Sequence, residues 1–252
     1  MAGTRMCCVV AGVLALAGAA ESRTPPARNS ATAAFPSNPP LPPPRPDRPA
    51  PADETATDGN GERKPASTAE TRGRPEAEAC RERLARLGVR FEIRPPLRDG
   101  SCGAPEPLLV SGLTENVEVE PAATMTCPVA EALALWTTDV VAVESERHLR
   151  TKPVRLLIGT SYECRNQRSG GKMSEHAFAN GVDVMGFAFP ARPNLAVAAQ
   201  ADGSPEGAFL AAVRKGACVH FTTVLGPGSD AAHADHLHLD LRARRGGYRI
   251  CQ

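Results

Sequence analysis

The sequence is poor in aromatic side chains, with one Trp, two Tyr and seven Phe in 252 residues. It also lacks any basic patch interleaved with aromatics, and its formal net charge is only +1. Nucleic acid is therefore excluded as a partner, since tracking phosphates needs clustered cations. No CxxC pair occurs among the eight cysteines, which argues against a cysteine-rich structural zinc site. Beyond the N-terminus no segment approaches the roughly 20 apolar residues that span a bilayer, so no stable membrane span is expected in the mature chain.

What is present is unevenly spread. Residues 1–20 carry a single basic Arg5, an apolar run from Met6 to Ala20 and the small residues Ala17-Gly18-Ala19. This is the pattern of a secretory signal peptide and predicts export to the periplasm or cell envelope. Between Pro25 and Pro51 fall 11 of the 24 prolines, a density that no packed core accommodates. Residues 21–76 are expected to form an extended, Pro-rich, disordered tether. Export with the signal removed leaves six cysteines, Cys80, Cys102, Cys127, Cys164, Cys218 and Cys251. An even number in an oxidising compartment predicts disulfides. Cys80 with Cys102 and Cys218 with Cys251 are the favoured pairs, because each would staple one end of the domain.

The folded domain is placed at residues 77–252. Cys80, Leu84 and Leu87 recur at helical spacing up to Gly88, and Val89 to Ile93 alternates as a strand until Pro95-Pro96. Thr126 as cap and Pro128 in the first turn open a helix with Val129, Leu133, Trp136 and Val140 on one face, which makes Trp136 a core residue. Val154 to Ile158 reads as a strand. Ser204-Pro205-Glu206 opens another helix, expected to stop at Gly216. Strands are expected at Val219 to Leu225 and His236 to Leu241. The whole is a mixed α+β domain.

Two segments carry chemistry. In His236-Leu237-His238-Leu239-Asp240-Leu241 a period of two puts both histidines and Asp240 on one face and three leucines on the other. A half-buried structural strand would show the same pattern. In the second segment, Ser174-Glu175-His176 precedes Asp183, an acidic residue inside the apolar stretch Val182 to Phe189. Such a carboxylate needs a partner, which could be an arginine, backbone amides or a metal shared with His176. Four of the six histidines fall in or beside these segments, namely His176, His233, His236 and His238. Taken together, the two segments supply the three N or O ligands of a catalytic zinc, with a fourth position left for water. His233 is a further candidate ligand.

Ser174-x-His176-x6-Asp183 followed by Asp235-x-x-His238 is similar to the motif pair of the zinc D-alanyl-D-alanine carboxypeptidases and the related lysostaphin and hedgehog-like metallopeptidases. The run from Arg94-Pro95-Pro96 to Gly246-Gly247-Tyr248-Arg249-Ile250-Cys251-Gln252 resembles the extensin-like C-terminal domain of proteobacterial envelope proteins. Its most specific pieces are Ser174-Glu175-His176-Ala177-Phe178-Ala179-Asn180 and Leu225-Gly226-Pro227-Gly228. The peptidase resemblance implies a small mixed, mainly antiparallel sheet with flanking helices. It implies one zinc ion per chain on His176, Asp183 and His238, with Asp235 as general base and His236 stabilising the oxyanion. Arg165 would pair with a substrate carboxylate or the oxyanion, and Ser174 and Tyr162 would line the substrate site. Ala179 stands where those peptidases usually carry glycine, and Asp235 where many carry glutamate. The implied function is a zinc hydrolase of peptidoglycan cross-links or stem peptides; a cell-wall-binding or structural envelope module of the same fold is the alternative.

Overall fold

A computed structural model of the protein describes residues 68–167 and 170–252. The expected signal peptide (1–20) and the expected tether up to residue 67 lie outside the described residues. Helix α1 (Thr68–Arg86) starts upstream of the expected domain boundary at residue 77 and buries Cys80 and Leu84. Strand β1 (Arg90–Ile93) follows, ending before Pro95 as the sequence predicts. A short hairpin of β2 (Leu97–Asp99) and β3 (Cys102–Ala104) precedes β4 (Leu108–Gly112) and β5 (Glu118–Met125).

Helix α2 (Cys127–Trp136) begins at Thr126 with Pro128 in its first turn. It buries Val129, Leu133 and Trp136. Trp136 is core, as its helical spacing predicts, and its indole N–H donates to the Val213 carbonyl at 3.0 Å. A π-helical segment, Thr137–Ala142, carries the chain into α3 (Val143–Leu149). Strands β6 (Arg155–Ile158), β7 (Gly181–Phe189) and β8 (Arg192–Ala196) come next. Helix α4 (Pro205–His220) opens at Ser204, whose hydroxyl accepts the Gly207 N–H at 3.0 Å. Strands β9 (Thr223–Leu225), β10 (Leu237–Asp240) and β11 (Ile250–Cys251) close the chain.

The strands other than β2 and β3 form one nine-stranded sheet in the order β1-β4-β5-β6-β7-β10-β9-β11, with β8 also paired to β7. Only β5 with β6 and β11 with β9 pair in parallel. The mixed, mainly antiparallel sheet with flanking helices agrees with the expected α+β class. Helices α2 and α4 bring Trp136 and Phe209 onto Phe187 of β7, with ring centroids 6.2 and 5.0 Å away. Apolar burial of this kind is the main favourable term in the fold. Among the described residues no helix is long and apolar enough to cross a membrane.

Two expectations are corrected. Gly216 does not end α4, which runs on to His220, so the following strand begins at Thr223 rather than Val219. A Cβ at Gly216 would overlap Val140 of the π-helical segment; the glycine permits close packing between helices instead of terminating one. The disulfides join Cys80 to Cys127, Cys102 to Cys164 and Cys218 to Cys251. The expected Cys80–Cys102 pair is not formed, because α1 packs on α2, where Arg83 also grips Glu131 through two hydrogen bonds of 2.6 and 2.9 Å. Cys102 is left to face the loop after β6. The Cys218–Cys251 pair forms as expected.

Candidate metal centre

Asp183 and His238 are directly opposed across the antiparallel pair β7 and β10. Their neighbours Val182, Val184, Leu237 and Leu239 point the other way and are fully buried in the core. The alternation that the sequence shows is thus what fixes both polar side chains on the open face. His176 arrives from a separate element, a single 3-10 turn at Glu175–Phe178 whose cap Ser174 accepts the His176 N–H. That turn ends at Ala179 with φ 51°, the left-handed region that favours glycine.

His176 Nε2, His238 Nδ1 and Asp183 Oδ1 converge. The two ring nitrogens are 3.1 Å apart, and the carboxylate oxygen is 3.2 Å from His176 and 2.9 Å from His238. The opposite ring nitrogens are tied down. His176 Nδ1 bonds the Ser161 carbonyl at 2.9 Å, and His238 Nε2 bonds Asp240 Oδ2 at 3.0 Å. With those N–H groups donating outward, each histidine turns a lone pair toward the Asp183 oxygen. Three lone-pair donors at such distances repel one another unless a cation or a proton sits among them.

The metal-free electrostatics express this conflict. Burial opposes charge on His238, but hydrogen bonds and charge from Asp183 and Asp240 outweigh it and lift its pKa to about 9. Burial pushes Asp183 up, yet His176 and His238 together hold its carboxyl well below the usual range. Asp240 is likewise lowered against its burial by His238 and Thr223. A tetrahedral zinc with bonds of about 2.0–2.1 Å separates its donors by about 3.3 Å, close to the distances found. Two imidazoles oriented by outer acceptors and one carboxylate are also a chemically suitable set. These three side chains fit a divalent ion.

They stand in the wall of a cavity of about 800 Å³ that is open to solvent. Of the other expected site residues, Ser174, His236 and Arg165 line this cavity and Tyr162 does not. Arg165 is paired with Glu163 at 2.6 Å. His236 Nε2 lies 3.7 Å from Asp183 Oδ1, while its Nδ1 donates to Asp235 at 2.9 Å. The Asp235 side chain is 73% exposed and stands behind His236, outside the cavity lining. His233 also lines the cavity, with its Nδ1 held by Asp230 at 2.7 Å. Its ring centre is 5.7 Å from that of His238.

Sequence reasoning placed Asp240 on the correct face without a role; the structure gives it His238 as partner. It missed Ser161, whose carbonyl leaves no trace in a sequence. It also missed Arg242 and Arg244, which continue the even-numbered alternation past the end of β10 and line the same cavity.

The profile of the family described as Extensin-like protein C-terminus matches residues 78–252, and the chain belongs to that family. No curated protein and no solved structure matches the chain.

Proposed function

We propose that this member of the extensin-like C-terminal family is an exported, zinc-dependent hydrolase of peptidoglycan cross-links or stem peptides. The observation that carries the reading is the convergence of His176, Asp183 and His238 to within 3.2 Å, each histidine oriented by an outer acceptor. The motif similarity to zinc carboxypeptidases and the pattern of a signal peptide support the substrate class and the export. When bound, zinc supplies Lewis acidity at the scissile carbonyl and makes water nucleophilic near neutral pH.

The chain's own groups supply the rest. Asp235 accepts the Nδ1–H of His236, and in the neutral ring that tautomer turns the lone pair of Nε2 toward the site. In this reading the base role expected of Asp235 is exercised through His236. His236 Nε2 takes a proton from the attacking water as its oxygen bonds to the carbonyl carbon. The same proton then passes to the departing amine nitrogen as the C–N bond breaks. Arg165, in the cavity wall, faces the negative charge that develops on the carbonyl oxygen. Ser174 keeps His176 in place by capping its turn.

Metal analysis and digestion together test the proposal. The purified protein is expected to hold about one zinc per chain, lost in His176→Ala and His238→Ala. Peptidoglycan fragments should be cut by the zinc-loaded protein and left intact by His236→Ala with its zinc retained. Equal, absent cutting by both proteins would sink catalysis. The exposure of Asp235 favours one alternative, a metal-bearing module that binds cell wall without cutting it. Retention on purified sacculi with no release of fragments would select that reading.

A further inference from the structure

The alternation His236, His238, Asp240 does not stop with its strand. Arg242 and Arg244 follow at the same spacing and line the same cavity. Their segment is held firmly. Strand β11 pairs with β9, the Cys218–Cys251 bridge closes the end, and Arg249 donates to the Cys218, Val219 and Phe221 carbonyls at the end of α4.

Charge in the cavity is unequally satisfied. Its carboxylates are all occupied: Asp183 by two histidines, Asp240 by His238 and the Arg242 N–H, and Asp230 by His233 and two backbone N–H groups. Glu175 accepts from Asn180 at 2.7 Å and lies 3.7 Å from Arg242. Arg244 differs. Its half-buried guanidinium donates to the Thr222 carbonyl at 3.1 Å and the Thr223 hydroxyl at 2.7 Å, both neutral acceptors. Among the described residues no carboxylate pairs with it. A partly desolvated cation without a counter-charge is costly. Its planar fork, already oriented by two hydrogen bonds, still has donors left for a carboxylate.

We propose that Arg244 makes this cavity selective for peptides that carry a free carboxylate beside the bond to be cut, with Arg242 as its neighbour in the wall. The inference deepens the hydrolase reading and rests on it for the word cut, though not for the binding. Arg244 holds the carboxylate through the fork and so sets the position of the peptide against the metal-ligand wall. An uncharged or amidated end would leave the guanidinium unpaired and is disfavoured for that reason.

The test uses a peptidoglycan stem peptide with its carboxylates free and the same peptide with them amidated. Binding is measured by calorimetry on the full-length His236→Ala protein, so that no turnover is needed, and cleavage is measured on the wild type. The acid peptide should bind about tenfold tighter or better, as a charge-assisted pair implies. Adding Arg244→Gln should abolish that preference with zinc content unchanged and the protein still folded, and Arg244→Lys should restore part of it. In the wild-type background the loss from Arg244→Gln should appear in KM more than in kcat. A preference that survives Arg244→Gln overturns the proposal, as does equal binding of the two peptides by the protein with Arg244 intact, a result that needs no stable variant. Cleavage of both peptides alike would sink the selectivity and leave the hydrolase standing. An Arg244-dependent acid preference without any cleavage would do the reverse.

Discussion

At the scale of single residues, the site is governed by where protons sit. His238 in the metal-free protein has its pKa lifted to about 9, above its unfolded value of about 6.5. A group raised in this way contributes stability that is complete below about pH 6.5 and is lost as pH climbs toward 9. Asp183 is shifted the other way, so its contribution is present above about pH 4 and is lost on acidification. Chelator-treated protein should therefore melt at progressively lower temperature between about pH 6.5 and 9, a trend that a pH series of thermal scans checks directly. Added zinc should cancel that fall, since the ion takes the place of the His238 proton. Asp240→Asn is a separate probe. It removes the carboxylate behind His238 and should weaken zinc affinity about 10–100-fold without abolishing binding, measured by competition with a chelator. The candidate residues stood out in the sequence because an acid among apolar residues and histidines on alternate positions are both anomalous, while their grouping as one ligand set came from the motif resemblance. The Ser161 carbonyl was not, since every residue carries one.

At the scale of elements, legibility followed local signals. The starts of α2 and α4 were marked by Thr126-x-Pro128 and Ser204-Pro205, and β10 by its alternating leucines. Strands β4 and β5 carry no cap-and-proline start and no alternating leucines and were not among the expected strands, although they pair with each other across a short connection. Gly216 misled because the same residue serves a helix stop and a helix crossing, and only the neighbour Val140 distinguishes them. Gly216→Ala should cost about 1–3 kcal/mol by overpacking that crossing, observable as a lowered denaturation midpoint with unchanged slope. The Cys102–Cys164 bridge belongs to this scale too. It ties β3 to the loop after β6, and that loop gives His176 its Ser161 acceptor and takes the His176 carbonyl on the Glu163 N–H. Replacing both cysteines by serine should thus loosen zinc binding more than it lowers overall stability. Equal zinc affinity in the double variant would show that the loop holds its shape unaided.

At the scale of the whole molecule, three bridges and one core act together. Phe187 touches the rings of both Trp136 and Phe209 and is fully buried. Phe187→Ala should cost about 3–5 kcal/mol, seen as a large drop in the unfolding midpoint. Its effect on zinc content at room temperature should be small while the protein remains folded, because it lies on the apolar side of the sheet. Of the three pairings the sequence favoured only Cys218–Cys251 correctly, since many combinations satisfy the count and the packing of α1 on α2 decides for Cys80–Cys127.

The facing of Asp183 and His238 in one ladder limits how the chain can change length. Deleting a single residue inside β7 or β10 would shift the pleat by one step, turn a donor into the apolar interior and bring a valine or leucine to the cleft. Insertions in the segments 159–174 and 226–236 leave that ladder untouched. Variation in chain length among proteins that keep this centre should therefore collect in those two segments and spare the two strands.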